Sequence, residues 1–263
     1  SAKPNDHYEK VNEFKKIVDY AHSIDLGITI DVVYNHVYSL GEHSFDKIVP
    51  GYYFRFDENG NPYNGTGVGN ETASERAMMQ KFIVDSTSYW AKTYKLDGFR
   101  FDLMGIHDIE TMQLVHDEVK KINPDFFILG EGWNMGNHPA ETRAAQINAN
   151  KIPGISMFSD DIRDGVRGSV FDATDPGFAS GKNNNEMHLM ASIRSYPEIS
   201  GKRYDNPKQY VQYTEAHDNL TLWDKLQTTN KHQKEDDLKA MNKMSAAIVL
   251  TSQGIPFFQG GEE

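Results

Sequence analysis

The sequence predicts a parallel α/β fold. Apolar stretches of helical period alternate with short apolar runs along all 263 residues. Six such runs read as strands, and each but the last is followed by a helical pattern, which is how parallel sheets are connected. Three of the runs close on an acid, Asp102, Glu131 and Asp218, followed by loop-type residues. An acid at the end of a parallel strand points into the mouth of an α/β fold, where ligands bind.

Val11, Phe14, Ile17, Val18 and Ala21 fall at helical spacing and predict a helix over 8–23. Asp25-Leu26-Gly27 turns the chain, and 28–33 reads as a buried strand. A loop rich in Gly, Asn, Tyr and Pro follows over 34–72, long enough to carry function rather than only connect. Thr72 or Ser74 is expected to cap a helix running to Tyr94, followed by a strand at 97–101. The pattern then predicts a helix over 108–122, stopped by Pro124, and a strand at 126–129. A helix is expected from Pro139 to Asn148, a strand at 154–158 and an irregular Gly- and Asp-rich excursion over 160–181. The remainder reads as a helix at 185–195, a strand at 209–214, a short helix, a long helix at 234–251 and a last strand at 255–258.

A complete (β/α)8 barrel needs eight strands in about 250 residues. Six strands leave two βα units missing, so the alternatives are an incomplete (β/α)8 TIM barrel and an open doubly wound sheet. No Gly-rich phosphate loop follows the first strand, which disfavours the nucleotide-binding version.

Composition narrows the function. Apolar residues make up 38% and charged residues 25%, a globular balance. The formal net charge of −11 argues against nucleic acid as a partner, and no apolar run is long enough for membrane insertion. There is no cysteine, so thiol catalysis and disulfides are excluded and the redox compartment is unreadable. No HExxH motif supports zinc, and no GxSxG elbow supports a Ser-His-Asp triad.

The acids carry the chemistry. In Asp97-Gly98-Phe99-Arg100-Phe101-Asp102, strand alternation puts Arg100 and Asp102 on one face and the two phenylalanines on the other. A cation beside Asp102 favours its ionised form, as a nucleophile requires; a structural ion pair is the alternative. Glu131 follows four apolar residues and precedes Gly132-Trp133, surroundings expected to raise its pKa and suit a general acid. Trp133 can also stack on a sugar; a solvated loop glutamate is the alternative. Asp102 and Glu131 are 29 residues apart, about one βα unit, which puts them on neighbouring strands. Carboxyls so placed can lie about 5 Å apart, the spacing of a retaining glycosidase. His217-Asp218-Asn219 follows another strand, and Asp31 and His36 bracket the end of the first.

Taken in order, DVVYNH, DGFRFD, GEGW and EAHDN resemble the four signature regions of the α-amylase superfamily, glycoside hydrolase family 13. The GEGW form, the LMG after Asp102 and HDNLTLWDKL are most similar to type I pullulanases. The resemblance implies Asp102 as nucleophile, Glu131 as general acid/base and Asp218 as the residue holding sugar hydroxyls. It implies that Arg100 orients Asp102, that His36, His217 and Asn219 contact the sugar, and that Trp133 shapes the leaving-group side. Asp31 would be chiefly structural, with Asn35 beside it. Some members bind calcium at the position of Asn35, so calcium stands as the alternative to no cofactor.

The expected activity is hydrolysis of α-1,6 links in pullulan and branched glucans, with retention. An α-1,4-acting amylase or isoamylase, and a catalytically silent glucan-binding or scaffold protein, are the alternatives. The YNWGY-type motif, the first two βα units and the flanking modules of pullulanases are absent. Residues 1–263 therefore read as strands three to eight of a catalytic barrel within a larger multidomain enzyme, unstable or inactive alone. Secretion or cell-surface display is the expected location of an enzyme that meets a polymeric glucan.

Overall fold

In the computed structural model, helices and strands alternate as the sequence predicts. It describes residues 7–195, 201–202 and 204–262. The chain divides into two units, Ser1–Ile155 and Ser156–Glu263.

The first unit begins with α1 (His7–Ser23), followed by β1 (Thr29–Val32). After the long loop come α3 (Ala77–Tyr94), β2 (Gly98–Phe101), α4 (Ile109–Ile122) and β3 (Phe127–Gly130). The loop itself contains a short helix, α2 (Ser44–Ile48). Pairing is parallel throughout, and Asp31, Arg100 and Leu129 stand side by side across the three strands. Phe99 and Phe101 are fully buried, with Ile128, Met112, Val115 and Ile83. Arg100, between the two phenylalanines, projects to the opposite face, as alternation requires. Helices α3 and α4 pack on each other. At the start of β2, Asp97 Oδ2 accepts from the Ile28 N–H (2.7 Å) and meets His22 Nε2 (2.8 Å), fixing the turn into β1.

The second unit holds β4 (Ser156–Phe158), β5 (Tyr210–Gln212) and β6 (Ile255–Pro256), again all parallel. Between them lie α5 (Asp160–Arg167), α6 (Glu186–Ile193), α7 (Leu222–Thr229) and α8 (Glu235–Thr251). Ile162, Val166, Leu189, Leu222, Leu226 and Leu238 form its core. Among the described residues six strands thus stand where a complete (β/α)8 barrel has eight, and the barrel is incomplete.

Three local expectations are corrected. Neither Thr72 nor Ser74 caps α3. Its N-cap is Arg76, without a side-chain bond, while Ser74 Oγ pairs with Asp108 Oδ2 (2.6 Å). The helix expected from Pro139 is replaced by two 3-10 turns, Ala140–Thr142 and Gln146–Lys151. Asn148 Nδ2 takes the Ala140 and Arg143 carbonyls (2.7 and 2.9 Å) that a helix would use itself. The expected irregular excursion opens instead with α5, capped by Ser159, whose side chain accepts from the Ile162 N–H.

Candidate active site

The site in the first unit is built at the C-terminal ends of β1, β2 and β3. Asp102 and Glu131 each follow the last residue of their strand. Register places them at one height, since Phe101 pairs with Gly130. The Asp102 N–H donates to Val32 O (3.1 Å) and the Glu131 N–H to Phe101 O (3.1 Å), so each acid leaves its strand still in the ladder.

Arg100 joins them. Its Nη1 donates to Asp102 Oδ1 (2.8 Å) and to Asp31 Oδ1 and Oδ2 (2.9 and 3.0 Å). Its Nη2 lies 3.0 Å from Glu131 Oε1. Facing oxygens of Asp102 and Glu131 are therefore separated by no more than one guanidinium and two hydrogen bonds. Burial works to lower the Arg100 pKa, but Glu131, Asp31 and Asp102 outweigh it, and the net shift is upward. A fixed cation among three carboxylates is the dominant electrostatic feature of this face.

The surroundings of Glu131 are more polar than its neighbours in sequence suggest. Besides Arg100, its Oε2 accepts from the Leu103 N–H (2.9 Å). Leu103 reaches that position by adopting a left-handed backbone, φ 39°. Asn35 is fully buried; its Nδ2 donates to Asp102 O (2.7 Å) and Asp102 Oδ2 (3.0 Å). His36 Nδ1 meets Asn35 Oδ1 at 2.5 Å, so both ends of the Asn35 amide are engaged within the site. Trp133 is half-buried in the loop after β3. A Cβ on Gly105 would lie 1.8 Å from Trp133 O, so glycine is required where the loops after β2 and β3 meet.

The first unit thus brings together Asp31, Asn35, His36, Arg100, Asp102 and Glu131, with Trp133 two residues on. The other three expected residues lie in the second unit, in the segment between β5 and α7. His217, Asp218 and Asn219 are all exposed there. His217 Nε2 is 3.6 Å from Asp218 Oδ1, and Asn219 is left-handed, φ 65°. Glu215 secures this segment by accepting from the Leu222 N–H at its far end. Asn219 also lines a cavity of about 260 Å³ with Arg167, Ser169 and Lys225. Among the described residues no group of three or more His, Cys, Asp or Glu could hold a metal ion.

Sequence reasoning missed the residues that support the site. Arg55, Glu71, His107 and Glu215 are all buried and polar. Arg55 and Glu71 stand in the loop expected to be functional as a whole, yet neither matches an apolar period or a motif. Their signal is a partner 16 residues away, visible only after folding.

Parallel strands thus deliver a guanidinium-bridged carboxylate pair at their C-terminal ends, the end at which α/β barrels carry their active sites. No protein-family model matches the chain. It is 40% identical over 267 residues to the pullulanase of Bacillus subtilis strain 168, covering 100% of this chain and 37% of that protein. To pullulanase A of Streptococcus pneumoniae it is 32% identical over 274 residues, covering 100% of this chain and 21% of the other. A crystal structure of pullulanase complexed with maltotetraose, from Anoxybacillus sp. LM18-11, superposes with a TM-score of 0.95 at 45% identity, over 100% of this chain and 38% of that one. The chain belongs to the pullulanase-type glycoside hydrolases of family 13. It spans 37% and 21% of the length of these two curated relatives.

Proposed function

We propose that the protein containing this chain hydrolyses α-1,6-glucosidic links of pullulan and branched glucans, with retention at the anomeric carbon. The observation that carries the reading is the Arg100 bridge between Asp102 and Glu131 at two neighbouring strand ends. In the first step Glu131 gives its proton to the glycosidic oxygen while an Asp102 oxygen bonds to C1. The C1–oxygen bond breaks and the leaving chain departs as an alcohol. In the second step Glu131 takes a proton from water, the water oxygen bonds to C1, and Asp102 is released as carboxylate. Both proton transfers use one group, and no electrons leave the system, so the chemistry needs no cofactor.

Arg100 orients Asp102 through the 2.8 Å hydrogen bond from its Nη1. Asp218, His217 and Asn219, from the second unit, are assigned to the reacting sugar's hydroxyls, with His36, and Trp133 to the leaving-group side. Asp31 and Asn35 hold Arg100 and Asp102 respectively. All three acids are retained, which favours catalysis over a silent binding role. No helix among the described residues is long and apolar enough to cross a membrane. An extracellular or cell-surface site of action, where polymeric pullulan is met, is part of this proposal.

Product analysis after incubation of the full-length protein with pullulan and, separately, amylose tests this reading. Maltotriose from pullulan, with amylose untouched, is expected. Cleavage of amylose alone would keep the two-carboxylate chemistry and reject the α-1,6 assignment. No product from either, with the fold intact, would reject both.

A further inference from the structure

The 34–72 loop is tied down by a buried ion pair that the roles above do not use. Arg55 is 4% exposed and Glu71 0%. The Arg55 N–H donates to Glu71 O (3.0 Å), and Arg55 Nη1 reaches both Glu71 Oε1 (3.5 Å) and Ile106 O (3.0 Å) in the turn after Asp102. Arg55 also donates from Nε to Glu75 Oε1 and Oε2 (3.2 and 3.1 Å). The Glu71 carboxylate accepts from the Asn137 N–H (3.2 Å), Asn137 Nδ2 (3.4 Å) and the Gly65 N–H (3.1 Å). Asn137 lies in the loop after β3, the loop that carries Glu131 and Trp133.

The next residue completes a path back to the nucleophile position. Thr72 donates its N–H to Asn35 O (2.9 Å), and Asn35 Nδ2 holds Asp102 Oδ2. One dipeptide, Glu71-Thr72, therefore grips the loop of Glu131 with its carboxylate and the support of Asp102 with its backbone. Contact is close: a Cβ on Gly65 would lie 2.2 Å from Glu71 Oε2 and 2.5 Å from Gly136 Cα. A fully buried carboxylate is costly unless every oxygen is satisfied, so these donors are held as firmly as they hold it.

We propose that Glu71, paired with Arg55, is a positioning residue for cleavage: its buried carboxylate sets the loop of Glu131 against the loop of Asn35 and so fixes general acid and nucleophile relative to each other. This rests on the hydrolase reading above. Glu71 touches neither substrate nor reacting atoms; it acts through Asn137 and Thr72.

The test uses the full-length protein with Glu71→Gln and Glu71→Ala, and two independent readouts. The first is amide hydrogen exchange, which needs no activity. Faster exchange is expected at Asn137 and at Leu103, whose N–H reports where the Glu131 carboxylate sits. The second is kcat per active site, from active-site titration, beside the Kd for maltotriose. A misplacement of about 1 Å costs up to about 100-fold in rate, so kcat in Glu71→Ala is expected to fall by about 10- to 100-fold. Maltotriose Kd should hold within about threefold, and Glu71→Gln, which keeps one acceptor oxygen, should recover part of the loss. A purely structural role would lower Tm and the active fraction but leave kcat per site unchanged; that result overturns the proposal, as does unchanged exchange at Asn137 and Leu103. Should Glu71→Ala not fold, Glu71→Gln carries both readouts. If the wild-type protein cuts no glucan, the hydrolase reading fails, and exchange alone decides whether the clamp exists.

Discussion

At the scale of single residues, Arg100 has one positive charge and three carboxylate partners. Its place beside Asp102 was legible in the sequence, because alternation along DGFRFD leaves no other arrangement. Its bond to Glu131 was not, since that depends on β2–β3 register and on the turn that brings Leu103 round. The apolar run before Glu131 suggested apolar surroundings. Folding supplied a cation and an N–H instead, so two carboxylates share one counterion. Replacing Asp102 by Asn leaves an oxygen for the Asn35 contact but removes the proposed nucleophile. Turnover of pullulan is expected to drop by three to six orders of magnitude, roughly 4–8 kcal/mol in barrier at about 1.4 kcal/mol per tenfold. A variant retaining a tenth of wild-type kcat would remove Asp102 from that role.

At the scale of elements, long periodic helices were readable and their punctuation was not. Helix α4 begins where expected because Asp108 caps it, accepting from the Thr111 N–H at 2.9 Å. Helix α3 starts late because the Ser74 and Thr72 hydroxyls are drawn into tertiary bonds, with Asp108 and with the Tyr34 carbonyl. A capping signal in sequence says that an oxygen is available, not which N–H will claim it. Gly105 shows the same limit: nothing local marks it, yet the backbone of Trp133 occupies the space of its missing side chain. Gly105→Ala must push the loops after β2 and β3 apart. Overpacking of this kind costs about 1–3 kcal/mol, and urea denaturation should show that loss together with a fall in kcat. Unchanged stability would mean that the two loops do not meet as described.

For the molecule as a whole, the six-strand alternation and the four motif regions were legible, while the buried polar scaffold beneath them was not. His107 belongs to that scaffold. It is fully buried, and neither ring nitrogen has a hydrogen-bond partner. Burial, with Arg55 second, holds its pKa down to about 4; His138 is held down to about 4 for the same two reasons. The unfolded chain takes up these protons near the ordinary histidine value of 6.5, whereas the folded protein does not until about 4. Stability is therefore fully present above about pH 6.5 and is lost progressively down to about 4. For His107 the shift corresponds to roughly 3 kcal/mol. His107→Met, neutral at every pH, should flatten the pH dependence of unfolding free energy between pH 7 and 4 by about that amount. Equal slopes for the two proteins would show that His107 titrates normally.

Leu103 has a consequence of a different kind. A leucine with φ 39° is strained by about 1–2 kcal/mol relative to glycine, which occupies that region freely. Leu103→Gly would relieve the strain while unlocking the peptide whose N–H rests on Glu131. Selection for robustness and selection for turnover thus act on this one position with opposite sign. The glycine variant should melt no lower than wild type while hydrolysing more slowly. A library screened for heat resistance alone would drift towards it and come back with a sturdier, idler enzyme.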